Sequence, residues 1–371
     1  MRQHILDSIV QMINAEVPSD MSPVDWENII RVALASSVLS RLAANFESKY
    51  GSTIPIYVIE QFEAINRHSA LLKQQVCFEA MELAQHISKT SSQPAIFLKG
   101  AAYVLSGDSV GEGRIFSDID ILVKKEDLPN IERRLQAFAW FPNYSDEYDQ
   151  KYYREWAHEI PPLIQANRGT VLDVHHNLIP PISGRAPDIS LFLSDIRTVA
   201  GGYHMLSPHA MTLHSVIHLF YQEEFIHGYR DLSDLHLLVT SNSKNSQYWR
   251  ALLALAQETK FSVELFYACR YLNKIFGTEI ANNVIEPLSN SAPGKIRLKV
   301  LDWMFTRVLL PRHSLINKRF TSLAHQAAFI RGHWIKMPFH ILCIHSFQKL
   351  LSVFRHFLTG NTKTSNLPKA E

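Results

Sequence analysis

Apolar residues recur at helical spacing through the first part of the chain. Ser22 followed by Pro23 is a typical helix start, because the hydroxyl caps exposed amides and proline needs no donor there. From Trp26 an apolar residue returns at every fourth position as far as Leu42, which predicts one long helix with a buried stripe. A second long helical pattern follows it. Residues 1–90 are therefore expected to form an N-terminal helical region.

Shorter apolar runs with strand-like patterns follow residue 90. Ala95–Leu98 is a short buried run, and in residues 118–123 acidic and apolar positions alternate. Leu163–Ala166 and Val171–Asn177 flank an Asn-Arg-Gly turn, so they predict a hairpin. We expect residues 91–205 to form a small mixed sheet with its own helices.

Helical patterns return after Ser207 and Pro208, another capped start. Residues 206–285 are expected to form a helical region that packs on the sheet, and residues 286–358 to form C-terminal helices that begin with a linker at 286–294. Residues 359–371 have too few apolar side chains to repay chain ordering and are expected to be a disordered tail. The predicted fold class is α+β, with the small sheet embedded between N-terminal and C-terminal helical regions.

The composition of the chain excludes several classes of protein. The 371 residues carry a formal net charge of only +2, which argues against a long nucleic acid as partner. The three cysteines lie far apart and in no metal-ligand spacing, which indicates free thiols in a reducing compartment. The N-terminus lacks the apolar core of a signal peptide, and no apolar run approaches the roughly 20 residues of a membrane span. We expect a cytoplasmic protein.

The segment 333–358 mixes aromatic residues with Lys349, Arg355 and several histidines. Such a pattern is compatible with weak peripheral contact with a membrane surface. A helix that faces the core or a partner is the interpretation we favour.

Two carboxylates lie close together in the alternating segment 114–123, which reads RIFSDIDILV. Successive strand side chains point to opposite faces, so Asp118 and Asp120 share one face while Ile119 and Ile121 enter the core. Two like charges at this range repel unless a cation lies between them, and carboxylate oxygens are the ligands that Mg²⁺ prefers. The pair predicts a site for Mg²⁺ or Mn²⁺.

A third carboxylate is expected from a neighbouring strand. Asp173 lies in a strand-like alternation, and His175 lies on the same face two residues later. A two-metal transfer of a phosphoryl or nucleotidyl group needs such an additional carboxylate. Asp173 is the candidate, either as metal ligand or as the base that accepts a hydroxyl proton.

Residues that suit phosphate oxygens surround the acidic pair. Lys99 and Gly100 end one predicted strand and open a helix, whose exposed amides can receive a triphosphate. Arg114 supplies a cation and Ser117 a hydroxyl donor just before Asp118.

These segments resemble, in the same order, the uncharacterised nucleotidyltransferase family of the DNA polymerase beta-like superfamily. The resemblance rests on Leu98–Gly100, on Arg114 with Ser117–Val123, and on Asp173–His175. It extends to Asp25–Trp26 in an N-terminal helix and to a helical pair around His214, His218 and Arg230–Asp234, and it covers most residues up to about 240. The sequence departs from the superfamily pattern by Lys-Gly in place of Gly-Ser and by a longer insertion before Arg114.

The resemblance implies a nucleotidyltransferase. Asp118, Asp120 and Asp173 would hold the metal, and the phosphates of a nucleoside triphosphate, with ATP as the expected donor, would lie near Lys99 and Gly100. A nucleoside monophosphate would pass to the hydroxyl of an unidentified small-molecule or protein acceptor. The resemblance also suggests that Arg230 and Asp234 face the site. Their spacing by itself predicts only a local ion pair, because they lie four residues apart on a helix.

Two other functions compete with nucleotidyl transfer. His214 and His218 share a helix face, so they could join Asp173, His175 or Asp234 around a transition metal in a metallohydrolase. Ser215 stands where the zinc-protease motif has its acid, which disfavours that specific chemistry. The second alternative is a non-catalytic nucleotide-binding or scaffolding protein with this fold.

Overall fold

The computed structural model describes residues 1–16, 18–19, 21–46, 54–143, 147–344 and 346–348. The predicted tail at 359–371 and the last part of the predicted C-terminal helices lie outside the described residues. Of the helices described, none is both long enough and apolar enough to cross a bilayer.

Among the described residues before the sheet, the chain forms four helices: α1 (Arg2–Ile13), α2 (Pro23–Ala35), α3 (Leu39–Phe46) and α4 (Ile56–Ile87). Ser22 caps α2 through a reciprocal capping box with Asp25. The prediction of one long helix from Trp26 to Leu42 is wrong, because the chain turns between α2 and α3. Ser37 takes a left-handed backbone conformation with φ of 58°, and Leu34 is 61% exposed instead of belonging to a buried stripe.

A mixed sheet of seven strands forms the centre of the described chain, in the order β3-β4-β5-β2-β1-β7-β6. The strands are β1 (Ile96–Leu98), β2 (Asp118–Leu122), β3 (Trp140–Pro142), β4 (Leu163–Gln165), β5 (Val171–His175), β6 (Ile196–Thr198) and β7 (His204–Leu206). Strand β2 pairs antiparallel with β1 and parallel with β5, and β4 and β5 form the predicted hairpin. The shorter helices α5 (Lys99–Ser106), α6 (Leu128–Gln136), α7 (Glu147–Glu155) and α8 (Ser190–Leu193) connect these strands.

Helices dominate again after the sheet, which confirms the α+β class. They are α9 (Pro208–Tyr221), α10 (Gly228–Asn242), α11 (Ser246–Glu258), α12 (Ser262–Phe276), α13 (Asn282–Ser289), α14 (Lys295–Val308) and α15 (Thr321–Lys336). The linker predicted at 286–294 is wrong in its first half, since α13 continues to Ser289 with Pro287 inside it. Burial of Val284 and Leu288 outweighs the hydrogen bond that the proline removes.

The last described helices expose large apolar side chains. Helix α15 turns its small residues Ala324, Ala328 and Gly332 inwards, while Trp334 is 63% exposed and Phe339, just beyond the helix, 66%. The interpretation of this segment as a core helix is therefore wrong for these aromatic residues. Contact with a membrane surface or with a partner stays a prediction.

Candidate active site

The register between β2 and β5 brings two of the predicted carboxylates together. Asp120 lies directly beside Asp173 across this parallel pair, and Leu122 lies beside His175. Side chains alternate along both strands, so Asp118, Asp120, Asp173 and His175 all project from one face of the sheet. The strand register therefore confirms the expected position of Asp173, on the strand next to the acidic pair.

Asp120 is the most enclosed of these carboxylates. Its Oδ1 accepts hydrogen bonds from Lys99 Nζ at 2.7 Å and from His175 Nε2 at 2.9 Å. Burial by itself would raise the pKa of Asp120, but the adjacent Lys99 and His175 outweigh it and hold the pKa well below its usual range. Asp120 is thus ionised and already compensated by two neighbours.

Asp173 has the opposite electrostatic environment. Burial, followed by the negative charges of Glu159 and Asp120, raises the pKa of Asp173 to about 8. Its Oδ1 is buried and has no hydrogen-bond partner among the described residues. A buried carboxylate oxygen without a donor is costly, and a cation placed beside it would remove that cost.

His175 connects the carboxylates to a residue that the sequence analysis missed. Its Nε2 faces Asp120, and its Nδ1 lies 3.1 Å from Glu159 Oε2. Burial lowers the pKa of His175, but Glu159 and Asp120 outweigh this effect and raise it. Glu159 forms an isolated bridge opposite His175 and is only 20% exposed. Its signal was weak, because a single Glu precedes a Pro-Pro pair without a clear strand pattern.

Asp118 stands apart from the compact cluster. In the described part of the chain, two sets of three side chains offer possible metal-ligand atoms within 4.8 Å of one another: Asp120, Asp173 and His175, and His158, Glu159 and His175. Asp118 belongs to neither set. It accepts a hydrogen bond from Ser117 Oγ at 3.1 Å, while burial and the charge of Asp120 raise its pKa.

A cleft of about 280 Å³ opens beside these strands, between β2, α5, α9 and α10. All the residues predicted to bind phosphates line it: Lys99, Gly100, Arg114 and Ser117. Gly100 is required by sterics, because an added Cβ would lie 2.9 Å from Phe116 Cβ. Lys99 itself has a positive φ of 46°, a strained conformation that is frequent at functional sites.

Arg114 is not the free cation that its position suggested. It is buried, its Nε donates to Asp234 Oδ2 at 2.9 Å, and its NH2 lies 3.8 Å from Asp231 Oδ1. The expected local pair between Arg230 and Asp234 is wrong: Arg230 pairs with Asp231 at 2.9 Å. Asp234 instead holds two distant arginines, since Arg41 NH2 also donates to it, at 2.6 Å.

The histidine site of the metallohydrolase hypothesis does not form. His214 is buried and His218 half-buried on α9, with ring centroids 6.4 Å apart, but neither belongs to a possible metal-ligand set in the described residues. Burial and the charge of Lys99 lower the pKa of His214 to about 3. Ser215 shares a hydrogen bond with Tyr103 at 2.5 Å, which places both hydroxyls in the cleft wall.

Comparison with curated proteins and with solved structures gave no match. A family model described as an uncharacterised nucleotidyltransferase matches residues 22–277, which include every candidate residue of the cleft and of the carboxylate cluster. This match covers more than half of the chain, and the geometry agrees with it. The chain therefore belongs to the uncharacterised nucleotidyltransferase family.

Proposed function

We propose that this protein transfers a nucleoside monophosphate from a nucleoside triphosphate to a hydroxyl group of a small molecule or protein. The expected donor is ATP, and the reaction depends on Mg²⁺ or Mn²⁺. The observation that carries the proposal is that Asp118 and Asp120 line a cleft together with Lys99 and Gly100, while Asp173 lies beside Asp120 on the neighbouring strand. The family match supports the same reaction class.

The donor set fits a hard divalent cation. Asp118, Asp120 and Asp173 supply carboxylate oxygens, which Mg²⁺ and Mn²⁺ prefer, and the unpartnered buried Oδ1 of Asp173 is one that a cation would satisfy. When bound, the ion stabilises negative charge on the phosphates and lowers the pKa of the acceptor hydroxyl. We assign Asp173 to metal binding, with acceptance of the hydroxyl proton as the alternative role.

The remaining groups of the cleft position the nucleotide. Lys99 pairs with Asp120 and lines the cleft, so its ammonium can offset charge on the triphosphate. Gly100 lets the start of α5 pack closely against Phe116 in the cleft wall, and Ser117 offers a hydroxyl donor. Arg114 contributes through its charge, although two carboxylates already share its guanidinium. The acceptor oxygen forms its bond to the α-phosphorus as the bond to pyrophosphate breaks.

The decisive experiment follows the label from the α-phosphate of each nucleoside triphosphate in the presence of Mg²⁺ or Mn²⁺. We expect label on protein or small molecules from a cell extract, with release of pyrophosphate. Asp118→Ala and Asp120→Ala should each reduce transfer at least about 100-fold, the scale of losing a main electrostatic group. Asp7→Asn, on the exposed face of α1, is the matched control and should leave transfer unchanged.

The outcomes separate the competing functions. Full activity in Asp120→Ala would contradict the proposal. Nucleotide binding without transfer from any donor would favour the non-catalytic alternative. Asp173→Asn should lose Mn²⁺ binding, measured by electron paramagnetic resonance, together with transfer. Retained binding with lost transfer would assign Asp173 to the hydroxyl proton instead.

A further inference from the structure

A second group of possible metal ligands lies beside the carboxylate cluster, on the segment that precedes β4. His158 and Glu159 follow α7, and backbone hydrogen bonds hold this segment against β5. His176 N donates to His158 O at 2.8 Å, and Ile160 N donates to Val174 O at 3.1 Å. These bonds fix the backbone on both sides of Glu159, so the side chains start from a rigid frame.

The side chains converge on one point. His158, Glu159 and His175 each offer a ligand atom within 4.8 Å of the others. The rings of His158 and His175 have centroids 5.3 Å apart, and His175 Nδ1 lies 3.1 Å from Glu159 Oε2. His158 Nδ1 is buried and has no hydrogen-bond partner in the described part of the chain. A buried ring nitrogen without a partner points to a ligand at this site, because such groups are otherwise satisfied.

The other nitrogen of His175 is placed as in known metal sites. Histidines that bind a metal through one ring nitrogen commonly donate the N–H of the other to a carboxylate, which fixes the tautomer and the ring orientation. His175 Nε2 lies 2.9 Å from Asp120 Oδ1, which is such a carboxylate. Asp120 would therefore support the second site through His175 while it contributes to the first.

We propose that His158, Glu159 and His175 bind one transition-metal ion of the zinc class, at a site separate from the Mg²⁺ or Mn²⁺ of the carboxylates. Two imidazoles and one carboxylate suit Zn²⁺, whereas Mg²⁺ prefers oxygen ligands alone. The ion holds His175 neutral, with Nε2–H directed at Asp120. Its role is positional, because it fixes a neighbour of the candidate active site. The site depends only on the geometry of these three residues and does not rest on the proposed transfer reaction.

The test measures metal directly. Protein produced without a polyhistidine tag, then exchanged into metal-free buffer and given ZnCl₂ before desalting, should retain about one zinc per chain by elemental analysis. His158→Ala and Glu159→Gln should each lose most of this zinc. Zinc should raise the melting temperature of the metal-free wild type but not that of either variant, because a metal that binds only the folded state stabilises it. Circular dichroism checks that both variants fold.

Two control variants separate this site from others. His209→Ala removes a half-buried histidine at the start of α9, far along the chain from this segment, and should keep the zinc. Asp118→Ala should also keep it, although that residue belongs to the proposed Mg²⁺ site. Less than about one zinc per ten wild-type chains would overturn the proposal, as would full zinc content in both His158→Ala and Glu159→Gln. Neither result would bear on nucleotidyl transfer, which is measured separately.

Discussion

At the scale of single residues, the immediate neighbours of each buried carboxylate in the candidate site determine its pKa. Asp120 and Asp173 are adjacent carboxylates on adjacent strands, yet the pKa of Asp120 is depressed and that of Asp173 is raised to about 8. The difference arises because Lys99 and His175 both contact Asp120 and outweigh its burial, whereas burial and the charges of Glu159 and Asp120 all raise the pKa of Asp173. Two identical side chains therefore offer different chemistry.

Gly100 provides a residue-scale prediction. Gly100→Ala places a Cβ 2.9 Å from Phe116 Cβ, so one of the two residues must shift at the start of α5. We expect the free energy of unfolding to fall by about 1–3 kcal/mol, as for other overpacked sites, and nucleotide affinity to fall with it. Urea unfolding and calorimetry would measure the two effects.

The matched control for this substitution is Gly294→Ala. An added Cβ at Gly294 has no heavy atom within 4 Å, and this residue caps α14 far from the cleft. Because alanine is a poorer N-cap than glycine, the free energy of unfolding should fall by at most about 1 kcal/mol in this variant. Equal effects of both substitutions would show that the contact with Phe116 does not matter.

At the scale of elements, ion pairs add to the apolar contacts that join neighbouring helices such as α12 and α14. Asp302 on α14 accepts hydrogen bonds from Arg270 and Lys274 on α12, at 2.6 to 2.8 Å. The hydrogen bonds from Arg270 lower the pKa of Asp302, and they outweigh the opposite effect of burial. The carboxylate is partly exposed, so solvent screening limits the strength of these pairs.

The ion pairs of Asp302 predict a specific dependence of stability on pH. A lowered pKa in the folded state means that the stabilisation is complete above the unfolded value of 3.8 and is lost as pH falls through the folded value. Asp302→Asn should therefore melt below the wild type at pH 7, and the difference should shrink when pH is lowered past 3.8. Melting curves from pH 7 down to acid would measure it. A difference that stays constant over this range would contradict the assignment.

At the scale of the whole molecule, three regions meet at one carboxylate. Arg41 comes from the N-terminal helices, Arg114 from the segment before β2, and Asp234 from α10. All three side chains are buried, and Arg41 also donates to the carbonyl of Val110. The division of the chain at residues 90 and 205 stays a prediction, but these contacts cross both of its boundaries.

Asp234→Asn tests this junction. The substitution leaves two buried guanidinium groups without their shared negative charge, which typically costs about 3–5 kcal/mol of stability. We expect a loss of this size in urea unfolding, with a single transition that moves to lower denaturant. Glu258→Gln, on the exposed surface of α11, is the control and should change stability by less than about 0.5 kcal/mol. A loss below about 1 kcal/mol in Asp234→Asn would refute a structural role for the junction.

The sequence by itself determined the features that depend on local periodicity. The alternation of Asp118 and Asp120 with isoleucines fixed their common face, and the Asn-Arg-Gly turn fixed the hairpin that carries Asp173. The capped start of α2 was equally local, because Ser22 and Asp25 lie within one turn. Such features are predictable because side-chain direction repeats every two residues in a strand and about every 3.6 in a helix.

Only the tertiary structure decided which charges meet. Glu159 reaches His175 because an isolated bridge aligns them, and Arg114 pairs with Asp234 across 120 residues of chain. The turn at Ser37 likewise breaks a stripe that looked continuous in the sequence. Pairing of buried charges is set by contacts between distant segments, and such contacts leave no periodic trace in the sequence. The sequence thus located Asp118, Asp120 and Asp173, whereas the fold added Glu159 and determined the electrostatic environment of each carboxylate.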